Sequence, residues 1–170
     1  MKTLALDLSL NRTGMAWGFY NEEKGVINIK TDIIETKKIA DHMKKVCYVK
    51  KIIGRKIKEF TPHKILIEGQ SYASRGRAIM SIAQLHGVVM YSCMKQWRVE
   101  YHTIPPTTVK KYITGKGNNR KSMMLKSLYK RFHIDVDDED KADAIGVLLT
   151  GSTMKDVWNI HATNIGEEKL

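Results

Sequence analysis

Leu4-Ala5-Leu6-Asp7 is a short apolar run that ends on a carboxylate, and Ile65-Leu66-Ile67-Glu68 repeats the pattern further along the chain. A charge at the end of a buried strand is costly unless something pairs with it. If the two strands are neighbours, Asp7 and Glu68 stand side by side. Asp140 and Asp143 lie three apart at a predicted helix start and so share one helix face. Gathered in one place, four carboxylates repel one another strongly at short range. Divalent cations remove that cost, and hard oxygen donors suit Mg²⁺ or Mn²⁺. Two such ions about 4 Å apart can activate a water and stabilise the leaving oxygen of a phosphodiester. Taken singly, each acid has a plainer reading: Asp7 as a strand-end turn residue, Glu68 as an arginine's partner, Asp140 as an acid favoured by a helix N-terminus. Their joint occurrence points to a metal site.

The flanking sequence predicts the rest of the sheet. Residues 2–8 read as a strand, Asn11 to Gly14 as a turn, Met15 to Tyr20 as a second strand, and Val26 to Thr31 as a third. Asn21-Glu22-Glu23-Lys24-Gly25 makes the hairpin turn between the last two. Residues 37–60 read as a long helix with apolar residues at Ile39, Met43, Val46, Ile53, Ile57 and Phe60, and with lysines and Arg55 on the other face. That face is either solvated or turned toward DNA. Thr61-Pro62-His63 stops the helix, and Lys64 to Glu68 is the next strand. Gln70 to Arg77 is a polar, basic loop. Arg77 to Trp97 is a second helix with Ile79, Ile82, Ala83, His86, Val89, Met90, Cys93 and Trp97 inward. Arg98 to Ile104 is a strand. Helices follow from Pro105 to about Ile113, from Arg120 to Phe132 and from Asp140 to about Leu149. The order βββ-α-β-α-β-ααα implies an α/β fold: a mixed five-stranded sheet, three antiparallel N-terminal strands plus two parallel ones, flanked by helices. No repeat or domain-scale linker divides residues 1–170, so a single domain with a polar tail over 150–170 is expected.

Charge sharpens the functional reading. The 170 residues hold 29 Lys and Arg against 18 Asp and Glu, a net charge of +11. Six of those acids fall within residues 135–143, so the body is more basic still. A basic body suits a polyanion, and one concentrated acidic spot suits cations. Lys110, Lys111, Lys116, Arg120 and Lys121 surround the loop Gly115-Lys116-Gly117 and a helix start, where side-chain charge and free N–H groups bind phosphate. Arg75 and Arg77 flank Gly76 in the loop after Glu68 and are candidate DNA contacts. Two cysteines, Cys47 and Cys93, make no disulfide framework, and no apolar run approaches the roughly 20 residues of a membrane span. Cytoplasmic residence with no membrane partner is therefore expected.

These residues resemble the RuvC family of Holliday-junction resolvases, over roughly residues 1–150. Leu4-Ala-Leu-Asp7 followed by Thr13-Gly14 is similar to the family's first strand and turn, and Ile65-Leu-Ile-Glu68 to its second acidic strand. Thr107-Thr-Val-Lys110-Lys111, Gly115-Lys-Gly117 and Arg120-Lys121 resemble its basic segment. Asp140-Lys-Ala-Asp143-Ala-Ile closely matches its D-x-x-D-A-[LI] helix. The resemblance implies a ribonuclease H-like fold and metal-dependent cutting of four-way junctions, forks and other branched DNA. It also implies Asp7, Glu68, Asp140 and Asp143 as ligands of two Mg²⁺ or Mn²⁺ ions, with Lys121 as a basic group near the scissile phosphate. Ala83 and Gly87, four apart, lie on the helix that helps the family form a dimer, so a homodimer is expected.

Two departures stand out. Leu8-Ser9 replaces the family's Pro-Gly after the first aspartate. The junction-wedging aromatic falls to Tyr72, after Gly69-Gln70-Ser71. The short, basic chain looks like the variants carried by phages, which would act in a bacterial host's cytoplasm. Rival readings are a ribonuclease H-type or flap/general nuclease on the same fold, and a non-catalytic basic DNA-binding protein.

Overall fold

The computed structural model describes residues 1–70, 77–117 and 122–154, and of residues 77 and 78 only the backbone. Three N-terminal strands, β1 (Lys2–Asp7), β2 (Arg12–Asn21) and β3 (Gly25–Glu35), form an antiparallel meander. The β2–β3 turn is built by Asn21, whose Oδ1 accepts from the N–H groups of Glu23 at 2.8 Å and Lys24 at 3.1 Å. Gly25, at φ 71°, supplies the left-handed backbone that closes it. Two further strands, β4 (Lys64–Glu68) and β5 (Glu100–Ile104), add on the other side of β1, parallel to it. The sheet order is β3-β2-β1-β4-β5. The expected five-stranded mixed sheet is therefore present, with β2 and β3 longer than the sequence pattern indicates.

Helix α1 (His42–Phe60) joins β3 to β4, and α2 (Arg77–Ser92) precedes β5. Both cover one face of the sheet. Leu4, Leu6, Ile65 and Ile67 pack there against Val46, Val49, Ile53 and Ile57 of α1 and Leu85 and Val89 of α2. The helix was expected to begin at residue 37 but begins at 42. Asp41 accepts the N–H of Lys44 at 2.7 Å and caps it, while Ile39 is held in a turn by the carbonyl of Thr36. α2 also differs from expectation. Its α-helical part ends at Ser92, and a single π turn, Cys93–Trp97, follows and closes on Arg98 in left-handed conformation. Leu85 is buried, whereas Ala83, expected inward, is exposed.

The opposite face carries α3 (Pro106–Thr114), α4 (Ser122–Phe132) and α5 (Glu139–Thr153). Ala5, Ala16, Leu66 and Ile104 of the sheet meet Val109, Ile113, Met124, Leu128 and the buried residues of α5 there. Two glycines let α5 lie close to the strands. A Cβ on Gly14 of β2 would stand 2.2 Å from the Asp140 carbonyl oxygen, and one on Gly151 of α5 would stand 2.3 Å from Ile104 Cδ1. Among the described residues, no helix is long and apolar enough to cross a membrane.

Candidate active site

Strand alternation decides which side chains meet α5. Successive side chains point to opposite faces. Leu4 and Leu6 pack under α1, so Thr3, Ala5 and Asp7 face α5; by the same rule Lys64, Leu66 and Glu68 do so on β4. Parallel pairing matches Leu6 with Ile67, and one step further sets Asp7 beside Glu68. α5 begins at this end of the sheet, where its N-terminal turn rests on Gly14, the register partner of Asp7. One turn later it delivers Asp143, which is 8% exposed, to the same place.

Asp7, Glu68 and Asp143 line one cleft of about 220 Å³ together with Leu8, Gly69, Gln70, Ile79, Ile82, His86, Pro106 and Lys110. Burial pushes the Glu68 carboxyl up to about 9, and the charges of Asp7 and Asp143 and a hydrogen bond with Asp7 push it the same way; Lys110 opposes them. At neutral pH Glu68 therefore keeps its proton. Among the described residues no three His, Cys, Asp or Glu side chains are disposed as a ready metal cage. The donor set nevertheless fits a hard cation. It consists of carboxylate oxygens, one of them held protonated for want of positive charge.

Asp140 is placed differently from its companions. Arg12 Nε donates to its Oδ2 at 2.6 Å, Arg12 Nη1 donates to Glu35 at 2.7 Å, and Arg12 Nη2 pairs with Asp138. Asp138 in turn caps α5, accepting from the N–H groups of Asp140 at 2.9 Å and Lys141 at 3.1 Å. Partial burial pushes the Asp138 carboxyl up, but the Lys141 N–H and the Arg12 guanidinium outweigh that and hold it below the ordinary carboxylate range. Of the four acids singled out in the sequence, three share the cleft and the fourth is held by Arg12 one turn away.

The basic residues divide as well. Lys110 reaches the cleft, while Lys111 and Lys116 are exposed on α3 and the loop after it. Gly115, at φ 85°, ends α3. Tyr72, Arg75, Arg120 and Lys121 lie outside the described residues, as does the side chain of Arg77, whose backbone opens α2. Sequence reasoning missed His86 as a cleft residue; it is 6% exposed, and burial lowers its pKa below the ordinary imidazole value. Its place on the apolar face of α2 was legible, but not that this face ends at the carboxylates. Arg12 was also missed, because its partners lie far away in sequence.

A second groove of about 490 Å³ lies at the β3 edge, between Val26, Ile29, Phe132 and Ile134. It gathers no cluster of carboxylates, so the chemistry favours the smaller cleft.

A family model described as crossover junction endodeoxyribonuclease RuvC matches residues 3–151. The chain belongs to the RuvC family. Family relatives bearing that name include one from Prochlorococcus marinus (strain NATL2A), 27% identical over 158 residues, which cover 91% of this chain and 100% of the relative. Another, from Brachyspira hyodysenteriae, is 24% identical over 160 residues, covering 94% and 98%. Among solved structures, Thermus thermophilus RuvC superposes with a TM-score of 0.73 at 15% identity, covering 88% of this chain and 92% of that one. The yeast mitochondrial Holliday junction resolvase gives 0.65 at 17% identity, covering 88% and 77%. These structures share the ribonuclease H-like fold expected from the sequence.

Proposed function

We propose that this chain is a structure-specific endonuclease that hydrolyses phosphodiesters in four-way junctions and other branched DNA. The observation that carries the reading is the convergence of Asp7, Glu68 and Asp143, from β1, β4 and α5, on one cleft beside Lys110. Its relatives are named for crossover junctions, and the Thermus thermophilus RuvC solved with a Holliday junction substrate superposes at a TM-score of 0.73 with 16% identity.

Asp7, Glu68 and Asp143 would hold Mg²⁺ or Mn²⁺, with Asp140 as a fourth donor if Arg12 shares it. Bound there, such ions supply an activated water and stabilise the leaving oxygen of a phosphodiester. The chain's own groups do the rest. Lys110 balances the carboxylates and meets a phosphate at the cleft. Lys111 and Lys116 hold the flanking backbone, and we place Arg120 and Lys121 with them, Lys121 nearest the scissile phosphate. Tyr72, Arg75 and Arg77 follow Glu68 in the chain and are assigned to the junction. Half-buried Ile79 and Ile82 wall the cleft and limit competing water.

We also assign the chain to a homodimer through α2. Met80, Ala83, Gly87 and Tyr91 make an exposed row on that helix, continued by Met94 in the π turn, with Met80 68% and Tyr91 59% exposed. A Cβ on Gly87 would meet nothing within 4 Å among the described residues, so the small pair Ala83/Gly87 serves no close approach to them. A two-fold dimer sets two clefts against two strands of a symmetric junction.

The test compares a labelled four-way junction, an RNA–DNA hybrid and linear duplex with Mg²⁺ or Mn²⁺. Preferred nicking of the junction is expected. Preferred cutting of the hybrid moves the substrate to ribonuclease H-type chemistry, and binding without any cutting leaves a non-catalytic DNA-binding protein.

A further inference from the structure

Helix α1 presents two rows of side chains. Val46, Val49, Ile53 and Ile57, at steps of three, four and four, are buried against the sheet. Lys44, Tyr48, Lys51, Arg55 and Lys58, at steps of four, three, four and three, are all exposed. At about 100° per residue the two rows lie on opposite sides of the helix, and at ~1.5 Å per residue the outer row is about 21 Å long.

This row differs from an ordinary solvated face, which mixes charges of both signs. The only acid in the helix, Glu59, is held by Lys56 Nζ at 3.0 Å. Two neighbouring lysines are also committed: Lys56 lies 4.1 Å over the Trp17 ring, and Lys45 Nζ donates to Asn11 Oδ1 at 2.7 Å. Among the described residues, no ion pair or hydrogen bond engages the side chains of Lys44, Lys51, Arg55 or Lys58. Like charges one turn apart, such as Lys51 with Arg55 and Arg55 with Lys58, weaken a helix slightly. An anionic partner reverses that sign.

The row has a direction. The contact from Lys45 to Asn11 fixes the first turn of α1 beside the loop that follows Asp7, at the cleft end of the sheet. The contact from Lys2 Nζ to Thr61 Oγ1, at 3.0 Å, fixes the last turn at the far end. The cations thus run away from the cleft end along the face opposite the carboxylates, over a distance equal to about six base-pair steps. An exposed tyrosine among them offers a flat ring to a sugar or base.

We propose that Lys44, Tyr48, Lys51, Arg55 and Lys58 form a second, sequence-independent contact surface for the sugar–phosphate backbone of duplex DNA. The inference rests on the reading of the chain as a DNA endonuclease. It assigns a separate face of the molecule, distinct from the cleft and its basic loop.

The test is equilibrium binding of a fluorescent four-way junction with arms of about 20 base pairs to the full chain without divalent metal, across a series of NaCl concentrations. The triple variant Lys51→Gln/Arg55→Gln/Lys58→Gln should bind about tenfold more weakly at moderate salt. Its plot of log affinity against log salt should be shallower by ~2 to 3, about one per lost phosphate contact. The charge-matched control Lys24→Gln/Lys30→Gln/Lys95→Gln should keep the wild-type slope. Melting temperatures of both triples should match wild type, because every substituted residue is exposed. Equal loss in both triples reduces the effect to bulk charge and overturns the proposal. So does an unchanged slope, or loss of binding to anionic vesicles while junction binding stays intact. If wild type binds no junction, the endonuclease reading fails with it; if wild type cuts junctions and the slopes are unchanged, only this inference fails.

Discussion

Arg12 faces three carboxylates at once, and its guanidinium is raised above its ordinary value, first by the hydrogen bond to Asp140. Replacing it with glutamine leaves Asp138 and Asp140 close together with no counter-charge, so Arg12→Gln should lower the melting temperature by a few degrees at pH 7. Arg12 helps hold the Asp138 carboxyl below the ordinary carboxylate range, and that contribution is lost as pH falls through the folded pKa of Asp138, so the deficit should shrink in acid. A melting series over pH checks both statements. Glu68 carries the opposite sign. Its folded pKa, about 9, lies above the ordinary carboxylate value, so between those two values the folded form holds a proton that the unfolded chain does not. Metal-free protein should therefore lose stability on this group's account as pH rises from about 5 toward 9. Glu68→Gln should flatten that decline. None of this was legible in the sequence at Arg12, whose partners Glu35, Asp138 and Asp140 arrive through the fold. Asp7 and Glu68 were legible because a charge that ends an apolar strand is conspicuous.

The helices and strands were read well where one periodicity dominated and less well at their ends. α1 was placed five residues too early because Ile39 happens to fall in phase with Met43 and Val46, while the capping geometry of Asp41 ends the helix at His42. α2 was read in the wrong phase at Ala83 because both that residue and Leu85 are apolar, and only packing against α1 and β4 selects Leu85. Lys64 was read simply as a strand residue. It is 1% exposed, with Nζ 3.5 Å from the Gly151 carbonyl at the C-terminal end of α5, and burial lowers its pKa to about 8. The close seating of α5 gives a ranked prediction. In Gly14→Ala the new methyl meets backbone, the Asp140 carbonyl, which cannot swing aside; in Gly151→Ala it meets the flexible ends of Ile104 and Leu66. Both should destabilise, by roughly 1 to 3 kcal/mol for the second and more for the first. Denaturant melts should show that order, and Gly14→Ala should also impair cleavage because it displaces the turn that delivers Asp143.

At the scale of the whole molecule, the sheet divides the work. One face, under α1 and α2, carries an apolar core, the outward row of α2 and the basic row of α1. The other face seats α5 and brings distant acids together at the ends of β1 and β4. If α2 joins two copies, a bulky charge in its exposed row should separate them without unfolding either. Gly87→Arg should keep the wild-type melting temperature and halve the mass measured by light scattering. A retained dimer would place the interface elsewhere. The five-strand order was readable because the N-terminal meander and the later strand–helix alternation admit few topologies. The handover of Asp140 to Arg12 was not, since residue spacing gives the face of a helix but not what lies against it.

The claim on which the account rests is that Asp7, Glu68 and Asp143 act as one cation-holding unit. Mn²⁺ titration followed by electron paramagnetic resonance, on wild type and on Asp143→Asn, tests it most directly, since Asp143 is the carboxylate that α5 brings to the cleft. The account predicts saturable binding by wild type and at least about a tenfold loss of affinity, ~1.4 kcal/mol, in the variant at unchanged fold. Equal Mn²⁺ affinity in the two proteins would contradict it.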